Sequence, residues 1–394
     1  MRPTRAPRSP APAAPIVLLA LCATWPAALA CGAGSVSPPG SASPPGAPSA
    51  SPAPSASPAP AATQSSPSAP DQPAERAWPD IKRCGEKEAL FDGGSFLRTP
   101  DGVALWYRVA GPAAAPTAVY VHGGPCFGAH DFEKTIGPLL ERSLRMVYLE
   151  QRGCSRSTSG ATEANLTMEA TVEDFERLRQ KLGVDRLDLI AHSAGGWVAL
   201  EYLRRHPDRV GRMVLIDTSG VVEPALQHQL DRAAEIAPRE FPDKVDQVRA
   251  LARGKGTADQ RLQAMHGLLG DRFFRALFYG SDREEQTLYR WSGELRRHCH
   301  SHPMIGWYLR SGYLERAHPE LMTHLPVPAL LLAGTRSHAF GPDLLRQAAA
   351  AWGIELHWIE GAGHFVFIAE PAATARETIA FLTAKPTPPP PTTH

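Results

Sequence analysis

The stretch Leu187-Asp188-Leu189-Ile190-Ala191-His192-Ser193-Ala194-Gly195-Gly196-Trp197 decides the fold. A largely apolar run ends at Ala191, small residues follow at once, and a helical pattern begins from Gly195 and extends to Arg205. The order is strand, tight turn, helix, with Ser193 at the tip of the turn and its hydroxyl projecting. Small neighbours are needed because such a turn crowds its flanks. A serine in an ordinary turn can simply cap the helix that follows. The apolar strand before Ser193 and the immediate helix after it favour a nucleophile.

Two further motifs complete a chemical set. His122-Gly123-Gly124-Pro125 follows the apolar run Ala118–Val121. Glycines there let the backbone bend and aim the N–H of Gly124 at a developing oxyanion, with the N–H of Ala194 as its partner. Gly361-Ala362-Gly363-His364 follows a run at Leu356–Ile359, so His364 lies on a loop beyond the last strand. A lone histidine is more often structural. One that follows the serine in chain order suits a general base for Ser193.

Further strands are expected at Arg145–Leu149, Met213–Ile216 and Ala329–Leu332, and helices at Thr171–Leu182 and Pro371–Ala384. Ser95–Arg98 and Ala104–Val109, separated by Pro100-Asp101-Gly102, read as a hairpin. Short apolar strands alternating with helices indicate an α/β fold, with a mostly parallel sheet and helices on both faces. The connection from Gly220 to about His324 is too long for a plain loop, and its Leu- and Ala-rich charged segments predict a helical cap inserted after the sixth strand.

The net charge of +1 and 21% charged residues give no sign of a nucleic-acid binder. The 39 prolines divide the chain unevenly. Arg2, Arg5 and Arg8 precede a short apolar run from Ile16 to Leu21, and Ala28-Leu29-Ala30 precede Cys31, which reads as a secretory signal over 1–30. The apolar run is short for a bilayer span. Residues 31–77 form a Ser/Ala/Pro tract with no charge from Gly32 to Pro70, an extended tether. A tether directly after a cysteine makes sense if Cys31 is lipidated and held at a membrane; cleavage by an ordinary signal peptidase would leave a soluble export. The folded part then divides into core (78–220), cap (221–324) and core (325–385), followed by a Pro/Thr tail (386–394). Cys84, Cys126, Cys154 and Cys299 remain for disulfides in an exported protein. Cys126 and Cys154 each follow a strand and could meet at the sheet's rim, although free, semi-buried thiols are the favoured expectation.

With these residues in place, the chain resembles the α/β-hydrolases, and among them the prolyl aminopeptidase group of serine peptidases. The resemblance rests on His122-Gly123-Gly124-Pro125 and on Glu150-Gln151-Arg152-Gly153-Cys154-Ser155-Arg156-Ser157, which is similar to that group's D-Q-R-G-x-G-x-S loop. It covers Phe96–Gly220 well and Pro326–Phe381 moderately. Three positions depart: Glu150 for Asp, Ser155 for Gly, and Cys126 for the last glycine of the first loop. The turn Ala191–Gly196 is similar to the G-H-S-x-G-G of esterases and epoxide hydrolases. Epoxide hydrolases need an Asp where Ser193 stands.

The resemblance implies a catalytic carboxylate after the seventh strand, where Gly334-Thr335-Arg336-Ser337 contains none. Losing that acid costs about four orders of magnitude in rate. His338 and Asp343 would serve only after loop rearrangement. Some members carry the acid after strand six, and Asp217 stands at that strand's end; relatives whose acid lies elsewhere also have an Asp there, bonded to local backbone. Asp217 is the preferred acid.

Glu294, beside Trp291, suits a substrate ammonium group in the cap, although a helix-surface glutamate is the commoner case. Arg297-His298-Cys299-His300-Ser301-His302 is dense in metal ligands, but reads as a solvated polar stretch, and no metal or cofactor is called for. The expected function is cofactor-free hydrolysis of a small ester or amide, including an N-terminal proline peptide, through an acyl-enzyme on Ser193. The alternative is a non-catalytic binding lipoprotein that has lost the acid.

Overall fold

The computed structural model describes residues 84–124, 126–299, 313, 316–318 and 323–384. The expected signal, Cys31, the tether and the Pro/Thr tail lie outside the described residues, as do Pro125 and His300–His302. Eight strands form one sheet: β1 (Ser95–Arg98), β2 (Ala104–Ala110), β3 (Thr117–Val121), β4 (Arg145–Leu149), β5 (Leu187–His192), β6 (Val210–Ile216), β7 (Ala329–Gly334) and β8 (Glu355–Ile359). Their order is β1-β2-β4-β3-β5-β6-β7-β8. Only β1–β2 and β2–β4 pair antiparallel; the other five pairings are parallel. The inner strands β3 to β7 are almost wholly buried, which is why they read as continuous apolar runs rather than as alternating ones.

The described helices are α1 (Glu86–Ala89), α2 (His130–Thr135), α3 (Gly137–Leu140), α4 (Met168–Leu182), α5 (Ala194–Arg205), α6 (Glu223–Glu240), α7 (Val245–Ala252), α8 (Ala258–Leu269), α9 (Asp271–Phe278), α10 (Asp282–His298), α11 (Pro342–Trp352), α12 (Val366–Ala369) and α13 (Pro371–Thr383). α4 and α5 pack together, with α5 on β3, β5 and β6, while α13 packs on α3 and β6. α4 starts a turn earlier than its apolar pattern suggests, because the Thr167 hydroxyl accepts the N–H of Ala170 at 3.1 Å. It ends on Gly183 at φ 69°. The long connection between β6 and β7 carries α6 to α10, so it is helical, as expected. No described helix is long and apolar enough to cross a membrane.

Two disulfides tie the fold. Cys84–Cys299 joins the start of the described chain to the residue after α10, 215 positions away. Cys126–Cys154 joins the loop after β3 to the loop after β4. The expectation of free thiols at 126 and 154 is therefore corrected: the parallel pairing of β3 with β4 ends both strands side by side and brings the two loops into contact. The expectation of a solvated polar stretch is corrected at Cys299, which is buried and oxidised, while His298 is exposed with its ring stacked on Phe91 at 4.0 Å.

Candidate active site

Parallel strands deliver their C-terminal ends to one edge, and that edge is where doubly wound sheets hold their chemistry. Here His122 follows β3, Ser193 follows β5, Asp217 follows β6, and the loop after β8 carries His364. Backbone strain gathers at the same edge. Among the described non-glycine residues with positive φ, four of five lie there: Cys126 (70°), Ser155 (43°), Ser193 (55°) and Asp217 (42°). Each such residue costs free energy that the surrounding packing must offset.

Ser193 sits at φ 55°, ψ −128°, between β5 and α5. Its N–H donates to the carbonyl of Ile216 at 2.9 Å, and the N–H of Asp217 donates to Leu332 at 2.7 Å. The ends of β5, β6 and β7 are thereby fixed in one row, with Ser193 beside Asp217. Close approach explains the glycines. A Cβ on Gly195 would stand 2.3 Å from the carbonyl oxygen of Val121 and 2.6 Å from that of His122. A Cβ on Gly123 would meet the Cβ of Ser193 at 2.8 Å, so the Gly123-Gly124 backbone lies directly against the serine. Ala194 opens α5, where the first N–H groups have no intrahelical acceptor. Ser193 is partly exposed while nearly everything around it is buried.

His364 is buried, and its Nδ1 lies 3.6 Å from Oδ1 of Asp217, itself fully buried. Neither carboxylate oxygen has a hydrogen bond of full geometry. Burial raises the Asp217 carboxyl to about 7, while the facing Ser337 hydroxyl and Gly334 amide act against that rise by favouring the charged form. Burial also lowers the His364 imidazole, to about 3. Both groups are thus pushed toward their neutral forms, and a neutral imidazole is what a base requires. His192 supports the ring: its Nε2 donates to the His364 carbonyl at 3.1 Å, and burial holds this imidazole neutral too.

Residues 116–371, well over half of the chain, match the model of the alpha/beta hydrolase fold. The chain belongs to that family. Over 125 residues it is 34% identical to a proline iminopeptidase of Xylella fastidiosa (strain 9a5c), covering 32% of this chain and 39% of the relative. Over 165 residues it is 30% identical to a proline iminopeptidase of Neisseria meningitidis serogroup A, covering 42% and 51%. The chain thus spans about half or less of the length of these curated relatives. The crystal structure of a proline iminopeptidase-related protein from Thermus thermophilus is similar at TM-score 0.60 and 27% identity, over 73% of this chain and 97% of that one. An esterase from Exiguobacterium antarcticum shares the fold at TM-score 0.51 and 19% identity, over 74% and 100%.

In this alpha/beta hydrolase the Glu150–Ser157 loop is a scaffold. Glu150, fully buried, accepts from Nη2 of Arg156 at 2.6 Å, from Nε of Arg156 at 3.0 Å and from the N–H of Ala129 at 3.3 Å. The Arg156 guanidinium lies 3.2 Å over the Trp106 ring. Arg152 binds Asp174 through two bonds of 2.7 Å and reaches Asp101 at 2.7 Å. Gln151 ties this loop to the other one: its N–H donates to Nε2 of His122 at 3.0 Å, and its side chain donates to the His122 carbonyl at 2.8 Å. Buried ion pairs of this kind set geometry more than they add stability.

Not every expected residue joins the group. Glu294 is half-buried on α10, with a carboxylate oxygen 3.8 Å from Nε2 of His130 on α2. Several residues with no sequence motif do join. Phe278 and Phe340 place their rings 5.0 and 5.8 Å from that of His364, and Phe274 stands between Phe278 and Phe127. Phe274 and Phe278 come from α9, so the helical insertion builds an aromatic wall beside the imidazole.

Proposed function

We propose that this chain is a serine hydrolase whose nucleophile, base and acid are Ser193, His364 and Asp217. The observation that carries the reading is the approach of His364 Nδ1 to Asp217 Oδ1 at 3.6 Å, on the same strand edge that holds Ser193 beside Asp217. With Nδ1 turned to the carboxylate, Nε2 is the nitrogen left to take the hydroxyl proton of Ser193. The serine oxygen attacks an acyl carbonyl, and the oxyanion is met by the N–H groups of Gly124 and Ala194. Collapse expels the leaving group, which receives the proton held on His364 and leaves an acyl-enzyme. Water attacks the acyl carbon, with His364 again as base, and restores the serine. Catalytic pairs are commonly looser without substrate than with it, so the 3.6 Å separation fits the free enzyme.

The substrate is a small ester or amide with an apolar acyl group. The aromatic wall of Phe127, Phe274, Phe278 and Phe340 supports that choice. The names of the relatives favour an N-terminal proline peptide among the amides. A fluorophosphonate probe tests the chemistry: it should label the wild-type protein and fail on folded Ser193→Ala. No labelling of the folded wild type would return the chain to the binding-protein alternative. Turnover of prolyl-naphthylamide against nitrophenyl esters then separates peptidase from esterase.

A further inference from the structure

The group that holds His364 in place comes from the helical insertion. Glu284, in the first turn of α10, is completely buried. Its Oε1 accepts the N–H of Gly363 at 2.9 Å, and its Oε2 accepts the N–H of Gly280 at 3.2 Å. Among the described ion pairs it has none. The next residue along, His364, donates its own N–H to the carbonyl of Phe278 at 2.8 Å. Segment 278–284 and loop 361–364 are therefore joined main chain to main chain. A Cβ on Gly363 would meet the N of Gly280 at 2.3 Å, and a Cβ on Gly280 would meet the N of Gly363 at 2.6 Å. No side chain fits between them, and one carboxylate bridges both amides.

A buried carboxylate without a salt bridge is expensive, and an apolar residue in α10 would be the cheaper choice for stability alone. Two charged groups act on it: Asp217, a like charge, and Arg336, whose guanidinium donates to the Gly280 carbonyl at 3.3 Å. Burial raises the Glu284 carboxyl, and the two backbone donors oppose that rise. Asp217 acts on Glu284 and also faces the imidazole, so a charge on Glu284 is felt by the His364–Asp217 pair.

We infer that Glu284 is a positioning residue for the base: it locks the loop carrying His364 to the inserted helices, and its charge bears on the base through Asp217. The inference rests on the serine hydrolase reading above. It makes the insertion part of the catalytic frame, so that a displacement of α10 moves the base.

The test uses the whole chain and the rate of fluorophosphonate labelling measured against pH, with folding checked by circular dichroism. Glu284→Gln keeps one acceptor and removes the charge. Its labelling rate should fall about tenfold, since a small misplacement of a catalytic group is costly. The acid limb of its profile should move to lower pH by roughly half a unit, because protonating the pair becomes less favourable once a nearby negative charge is gone. Glu284→Asp, which keeps the charge one methylene further back, should lose rate while keeping the wild-type limb. A merely structural glutamate would lower the melting temperature and leave the limb where it was. Wild-type rate and limb in Glu284→Gln, or a limb shifted equally in Glu284→Asp, would overturn the inference while labelling of Ser193 stands. A folded wild type that the probe does not label overturns both readings together.

Discussion

Replacing Asp217 with Asn tests the least conventional part of the site. The side chain keeps its shape and loses its charge, in a position with no solvent to compensate. When His364 accepts the proton of Ser193, the imidazolium and the carboxylate are opposite charges 3.6 Å apart. At an effective dielectric constant of about 20, that attraction is about 4 to 5 kcal/mol. At about 1.4 kcal/mol per decade, the variant should lose roughly three orders of magnitude in kcat/KM. The tautomer also fails, because an amide N–H facing Nδ1 drives the ring proton to Nε2, where the serine proton must go.

The assay is ester hydrolysis alongside fluorophosphonate labelling, both followed across pH. In the wild type the rate should rise through about pH 7, where the buried Asp217 carboxyl gives up its proton. The sign is that of a group needed as an anion whose ionisation burial delays to higher pH. The limb belongs to the coupled pair rather than to one residue, and it should vanish in Asp217→Asn. Ser337 supplies the second arm. It is buried and its hydroxyl faces Asp217, so Asp217→Asn/Ser337→Asp puts a carboxylate back from the neighbouring loop. Recovery of about tenfold over the single variant is expected. A single variant within about tenfold of wild type, with its limb intact, would refute the reasoning.

Two further predictions concern the frame around the site. Arg156→Met should cost about 3 to 5 kcal/mol in urea unfolding, because it leaves the fully buried Glu150 without its cation; replacing both, as Arg156→Met/Glu150→Gln, should recover part of that loss. Cys126→Gly/Cys154→Gly should lower stability by about 2 to 4 kcal/mol through the freed unfolded chain, with glycine at 126 returning part of the loss by relieving its φ of 70°. Its check is the denaturation midpoint of the variant against wild type without reductant, and an unchanged midpoint would show that the bond does not constrain the loops.

Most of the scaffold was legible in the sequence because it depends on local pattern. Leu187–Ala191 reads as a strand since both of its faces are buried, and Gly195 reads as part of a turn since only a residue without a Cβ passes Val121. Placement was harder wherever partners meet across the fold. Cys126 and Cys154 each follow a strand, which allows them to meet, but it takes the parallel register of β3 and β4 to put them together. Glu284 lies in Ser281-x-x-Glu284, a pattern that reads as an ordinary helix cap, and Ser281 does accept the N–H of Glu284 at 3.4 Å. What the pattern cannot disclose is that the carboxylate reaches a glycine 79 residues away. Phe274 and Phe278 similarly look like the apolar face of one more helix until the insertion lays α9 against His364.

On the proposed reading, the place after the seventh strand is where geometry and sequence position part most clearly. Judged by position, Ser337 marks a missing acid. In space it is adjacent to Asp217, and the two strand ends from which they project are neighbours, β6 beside β7. The pairing of β6 with β7 brings the loops that follow them to within one strand spacing of each other. With Asp217 as the proposed acid, position 337 faces its buried carboxylate, and a hydroxyl there serves that group better than an apolar residue could. Ser337 then favours the ionised form of the proposed acid, and a Ser337→Ala variant should raise the acid limb above its wild-type position, since one group favouring ionised Asp217 is lost. A limb unmoved by Ser337→Ala, measured by the same labelling assay, would show that the serine fills space and does no more.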